Sequence, residues 1–246
     1  MKYTFLIMKA QMKNVIRWRM AAAIIFGVAV ICIIGVSILF ITQFILPQVR
    51  AEQPDRQVLE NILGLILFFT SFCAVGIYAS VMSAQSLLRE KARGNIQALL
   101  ATPVKASDIC LGKTLGVFVP GFLLGTVMTI LMLAFINLAI IVPAAGFVFT
   151  PWMLVSSLAG VPLFFLVLGL LVHLIGLTGK AATGNIIAQL CLAILPALMI
   201  NLSLRNITSA ASWLFLVVLL GLAAIAGIFS LVLRRKLTAE RIMLSQ

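Results

Sequence analysis

Apolar residues run almost unbroken through six stretches of the chain: Met20 to Leu46, Leu59 to Leu87, Cys110 to Val142, Trp152 to Leu177, Asn185 to Leu204 and Ser212 to Leu233. A helix rises about 1.5 Å per residue, so about 20 residues cross a hydrocarbon core of about 30 Å, and every stretch reaches that length. The breaks between them carry turn or charge signals: Pro47 to Gln57, Arg89 to Lys113, Pro143 to Pro151, Thr178 to Gly184 and Arg205 to Ser209. The pattern predicts one all-α integral membrane domain over residues 1–246, with transmembrane helices at 20–46, 59–87, 110–142, 152–177, 185–204 and 212–233.

Ahead of the first span, Phe5, Met8, Met12 and Val15 recur at helical spacing while Lys2, Lys9, Lys13 and Arg17 gather on an adjacent face. This predicts an amphipathic elbow helix within residues 1–19, lying in the membrane interface, with Trp18 and Arg19 anchoring the turn into the bilayer. No small-residue cleavage site follows a short hydrophobic core, so the amino terminus reads as retained.

Composition agrees with a membrane environment: 63% of residues are hydrophobic, 10% are charged and the mean hydropathy is +1.22. A net charge of +12 would point a soluble protein toward nucleic acid, but here the charges are confined to the gaps between apolar runs. Their sidedness is what matters, because lysine and arginine in short loops stay in the cytoplasm. Alternating the six spans puts 15 of the 18 basic residues on one side, and leaves Arg50, Arg56 and Arg205 on the other. That predicts both termini in the cytoplasm of a multi-pass protein of the cell membrane, in contact with lipid and without a nucleic-acid partner.

The second loop on the basic side, residues 89–113, is the one long polar insertion between spans. Gly94 and Asn95 form a break and a cap for a short helix from Ile96 to about Thr102, exposing Ile96, Leu99 and Leu100, and Pro103 ends it. Ser107 then caps a further helix, with Asp108 in its first turn, that runs on into the third span. A leucine-bearing helix flanked by charge and joined to two spans is suited to dock in a groove of a soluble partner and pass its movement to the membrane. Resting on lipid is the alternative for the same leucines.

The segment resembles the coupling region of ABC-type exporter permeases of the ABC-2 family. The resemblance is carried by Glu90, Lys91 and Arg93, Gly94 with Asn95, the pair Leu99 and Leu100, Pro103, and Gly112 with Lys113. Asn95 departs from the threonine commoner there, and is equally able to cap a helix. The layout is also similar: an elbow helix, six spans and a coupling segment between the second and third. The resemblance implies two permease units, identical or similar, paired with two cytoplasmic ATPase subunits. ATP and magnesium would be held in those subunits, whose cycle switches the permeases between inward- and outward-facing states. Fewer than about ten residues separate the fifth and sixth spans, so the large external domain of bigger members is missing.

The chain has no GxxxxGK[ST] loop, so it cannot hold nucleotide in that manner itself, and no catalytic, cofactor or metal residues are assigned. Cys32, Cys73, Cys110 and Cys191 form no CxxC pair and read as packing residues, and His173 has no metal-type neighbour at helical spacing. No ionisable residue sits near the middle of a span, which disfavours an ion-coupled carrier or channel. A membrane scaffold for a cofactor-assembly complex is a further alternative. Asn137, Asn185, Gln189 and Asn201, with Thr126, Thr129, Ser156 and Ser157, could line a cavity or tie helices together. Pro120, Pro162 and Pro196 bend their spans, and Gly121 to Gly125 offers a small-residue face for close helix approach.

Overall fold

The computed structural model of the protein describes residues 2–17, 19–50, 55–92, 104–179, 181–205 and 207–234. Among these residues the fold is all α, with no strand. The elbow helix is α1 (Lys2–Arg17), and the first span is α2 (Arg19–Phe40) extended by a π-helical turn (Ile41–Ile45) and a short α3 (Leu46–Val49). The second span is α4 (Arg56–Ala92), and the third is α5 (Ala106–Ile136), continued by a π turn (Asn137–Ile141) and α6 (Val142–Ala145). The fourth span joins α7 (Pro151–Val155) through a π turn (Ser156–Gly160) to α8 (Val161–Thr178). The fifth and sixth are α9 (Ala181–Leu204) and α10 (Trp213–Arg234). Six helices are thus long and apolar enough to cross a membrane, at Gly27–Val49, Arg56–Ser83, Ala106–Ile141, Pro151–Thr178, Ala182–Leu204 and Trp213–Arg234.

Helices are the form these segments take because hydrocarbon offers no hydrogen-bond partner, and a helix satisfies its backbone within itself. Within the bundle α4 is the hub, packing against α2, α5, α8 and α9. Its membrane segment is 89% enclosed by protein, against 22% for the first, fifth and sixth spans. Phenylalanines supply the contact: Phe72 meets Phe165 of α8 at 4.7 Å between ring centres, and Phe68 meets Phe215 of α10 edge-on at 5.1 Å. Offset and edge-to-face pairs of this kind add about 0.5–1.5 kcal/mol beyond the area they bury.

Each π turn ends two residues before a proline, since Pro47, Pro143 and Pro162 are the second residues of α3, α6 and α8. A proline in a helix clashes with the carbonyl four residues earlier and removes a donor, and widening the turn relieves the clash. In the fourth span the Val161 N–H bonds back to Ser156, so the Ser157 carbonyl would need a donor from Pro162, which has none. The Ser71 hydroxyl of α4 donates to it instead, at 2.6 Å. Pro120 and Pro196 sit inside α5 and α9 without a π turn.

The two ends of the bundle differ in chemistry. At one end Ile45, Leu59, Ile141, Val148 and Met153 close a buried cluster, and Gly146 turns the chain at a φ of 76°. There Asp55 caps α4 through the Gln57 N–H (2.9 Å), and Arg56 pairs with Glu60 at 3.2 Å. Asn61 gathers the connection between α9 and α10, its Oδ1 accepting from the Ala210 N–H (2.7 Å) and the Ser203 hydroxyl (2.7 Å). At the other, basic end lie α1, the end of α4, the start of α5 and the end of α10.

Candidate functional site

Three helix ends converge beside residues 93–103. The elbow helix packs along α5, where a Cβ on Gly112 would stand 2.8 Å from Ile7 and one on Gly116 would stand 2.6 Å from Gln11. Only glycines allow that approach, so the pair, four residues apart, forms a seat for α1. A second pair on the same helix, Gly121 and Gly125, receives Tyr78 and Val75 of α4 in the same way. The elbow is also bonded to both flanks of the loop. The Thr4 hydroxyl donates to Asp108 of α5 at 3.0 Å, and the Gln11 amide donates to Ser86 near the end of α4 at 2.6 Å. Buried and partly buried bonds of this type hold three helices to one geometry at the base of residues 93–103.

The face of the elbow that packs on α5 was not legible in the sequence, which marked only an apolar face for the membrane interface. Thr4, Ile7, Met8 and Gln11 turn toward α5, while Phe5 is 61% exposed. Hydrophobic spacing singles out Phe5 and Met8, but the glycine seat and the two polar ties decide the rotation, and Phe5 and Leu6 are left facing outward for lipid. A similar shift affects the start of α5. Lys105, not Ser107, holds the capping position, with no side-chain cap, and Asp108 lies in the first turn as expected. The amides of Asp108 and Ile109 both reach the Lys105 carbonyl, which starts the helix before a Ser107 cap could act.

Of the residues assigned to coupling, Glu90 and Lys91 lie in the last turn of α4, with their side chains outside the description. Arg93, Gly94, Asn95, Ile96, Leu99, Leu100 and Pro103 fall outside the described residues. Lys113 is within α5 and only 1% exposed, so its ammonium does not face a partner across the surface. The His173 Nδ1–H donates to the Gly169 carbonyl at 2.8 Å, and Nε2 meets no partner among the described residues.

The four candidate cavity residues separate into two groups. Asn137 is fully buried and works as a tie: its Oδ1 accepts the Val148 N–H at 3.0 Å and its amide reaches the Leu133 carbonyl at 3.4 Å, fixing the loop after α6. Gln189 and Asn201 lie on the exposed stripe of α9 and Asn185 at its margin. With the exposed Ala193 and Ala197 between them, Asn185, Gln189 and Asn201 recur every fourth residue, an oblique ridge of amides around two small residues. Thr129 and Ser157 return their hydroxyls to carbonyls of their own helices, Gly125 and Met153. Asn61 and Gln11 were not singled out by sequence reasoning. Asn61 collects its donors from residues 142 to 149 positions away, and no local pattern reveals that.

No group of three or more metal-type side chains assembles among the described residues. The arrangement defines a multi-pass, all-α integral membrane protein with a rigid helix junction at its basic end. No protein-family profile, curated protein or solved structure matches the chain.

Proposed function

We propose that the chain is the transmembrane permease subunit of an ATP-driven ABC-type transporter of ABC-2 character, working as an exporter, with residues 89–113 as the surface on which a cytoplasmic ATPase docks. The observation that supports this most is the pair of hydrogen bonds from α1 to Ser86 and Asp108. They tie the two helices flanking the docking segment to each other, so a push there moves α4 and α5 together. α4 is 37 residues long, about 55 Å at the helical rise, and therefore extends well past a hydrocarbon core of about 30 Å. It reaches from the ATPase side to the centre of the bundle, where it contacts all five other spans.

A second copy of the permease would cover α9. Amides facing hydrocarbon lack partners, and Gln189 and Asn201 gain them by pairing with their counterparts while Ala193 and Ala197 let the backbones close. A cargo pathway lined by these amides then forms between two copies and not within one. The charge asymmetry supports placing both termini in the cytoplasm.

Replacing Leu99 and Leu100 together by aspartate tests the docking assignment, because the change lies outside the spans. ATPase recovered with the membrane-inserted chain should drop at least about tenfold, the effect of losing about 1.4 kcal/mol at a docking hot spot. Undiminished recovery would remove the assignment.

A further inference from the structure

A groove of about 490 Å³ opens between α5, α8 and α10 at the basic end of the bundle, away from the α1 junction and from the α9 ridge. Its two ends have different chemistry. Ser107 and the exposed Arg234 stand at the mouth, and the walls run inward past Leu170 and Leu174 to Leu166 and Ala224. The polar side chains along the walls are spent on their own helices: Thr114 donates to the Cys110 carbonyl at 2.9 Å and Ser230 to the Ala226 carbonyl at 2.8 Å. The deep part therefore offers an occupant nothing but apolar contact. From Arg234 to Ala224 is ten residues of α10, about 15 Å of helix, or half of a hydrocarbon core of about 30 Å. The groove is as deep as one leaflet.

The charge at the mouth is positive, and among the described residues no carboxylate pairs with it. The ion pair of Arg56 with Glu60 is at the opposite end. Asp108 is beside Ser107 but accepts from Thr4 of α1, and it is not among the groove's lining residues. The exposed Lys105 at the start of α5 adds a second cation on the same side, and Arg235 and Lys236 follow Arg234 in the sequence. Cationic side chains at the membrane surface attract anionic headgroups.

We infer that this groove binds an anionic phospholipid from the leaflet on the basic side, with one acyl chain laid between α5, α8 and α10 and its phosphate at Arg234 and Ser107. The inference is independent of the transporter reading. Volume, depth, an apolar interior and a cationic mouth together select an amphiphile with a negative head, and a cavity of this size falls within the range of ligand sites, about 300–1,000 Å³.

Native mass spectrometry of the purified full chain titrated with phosphatidylglycerol or phosphatidylcholine tests it. Wild type should retain phosphatidylglycerol at least about fivefold better, and Arg234→Gln should bring the two lipids to parity. Gly227→Leu fills the groove, and its Cβ would meet only Val167 at 3.7 Å, an ordinary contact. That variant should lose most retained lipid of either kind. Leu231, 62% exposed at the rim, takes a tryptophan without disturbing the core, and brominated phosphatidylglycerol should quench that reporter more than brominated phosphatidylcholine. Equal retention of the two lipids by wild type, or undiminished retention by Gly227→Leu, overturns the inference. Retention that appears only after residues 235–246 are deleted also overturns it, by showing that the chain's own end fills the groove.

Discussion

Single residues decide how the helices of this bundle meet. Ser71 and Pro162 form a linked pair across α4 and α8, since the proline leaves the Ser157 carbonyl without a backbone donor and the hydroxyl supplies one. Ser71→Ala should cost about 1–3 kcal/mol, the penalty for an unsatisfied buried polar group. The loss should shrink when Pro162→Ala restores a backbone N–H to the same carbonyl. A double-mutant cycle on thermal unfolding in detergent measures the coupling, and additive losses would disprove the link. Prolines are visible in sequence, so an irregularity of the helix at Pro162 was legible. The π turns were not, because Pro120 and Pro196 look the same in sequence and lie in unwidened helices. At Gly116 the prediction is steric: Gly116→Leu should force α1 off α5 at a cost of about 1–3 kcal/mol. A disulfide between cysteines at positions 4 and 108, whose native side chains are 3.0 Å apart, should form in the parent and fail in the variant.

At the scale of helices, the six spans were legible from length and apolarity, with ends within a few residues of those observed apart from the first span. Which span is central was not. Lipid and protein interiors are equally apolar, so the enclosed second span and the outward-facing first, fifth and sixth carry similar hydropathy. Glycines and prolines aside, only the polar residues separate them, and on α9 they do so clearly. Gln189, Ala193, Ala197 and Asn201 form a ridge that faces outward, where hydrocarbon would leave the amides unpaired. A cysteine at position 197 should give a disulfide-linked dimer in native membranes on mild oxidation. A cysteine replacing Leu190, on the same exposed face but off the ridge, should link far less. Equal yields at both positions would show random collision and not a seam.

For the molecule as a whole, function depends on which side each end faces. The two ends hold 15 and 3 basic residues by the alternation of spans, an asymmetry large enough to set topology. Cysteines at Lys105 and at Phe147, both exposed and at opposite ends, should divide accordingly. In intact cells a membrane-impermeant thiol reagent should label position 147 and reach position 105 only after permeabilisation. The helix junction beside residues 93–103 was partly legible: a helix starting close to Ser107 with Asp108 in its first turn stood out, whereas the ties from Thr4 and Gln11 join residues 104 and 75 positions apart. Sequence periodicity reports on one helix at a time and carries no record of such pairings.

The transporter reading places the energy source in a separate ATPase, and that requirement is open to direct measurement. The tagged chain is to be recovered from its native membrane in mild detergent or nanodiscs, and its companions identified by mass spectrometry. An ATPase bearing a GxxxxGK[ST] loop should come with it at a ratio near one to one, and should be lost with the Leu99 and Leu100 double aspartate variant. Recovery of the six-span protein without any nucleotide-binding companion, in repeated mild preparations, would contradict an ATP-driven permease and turn attention to flux driven by an ion gradient.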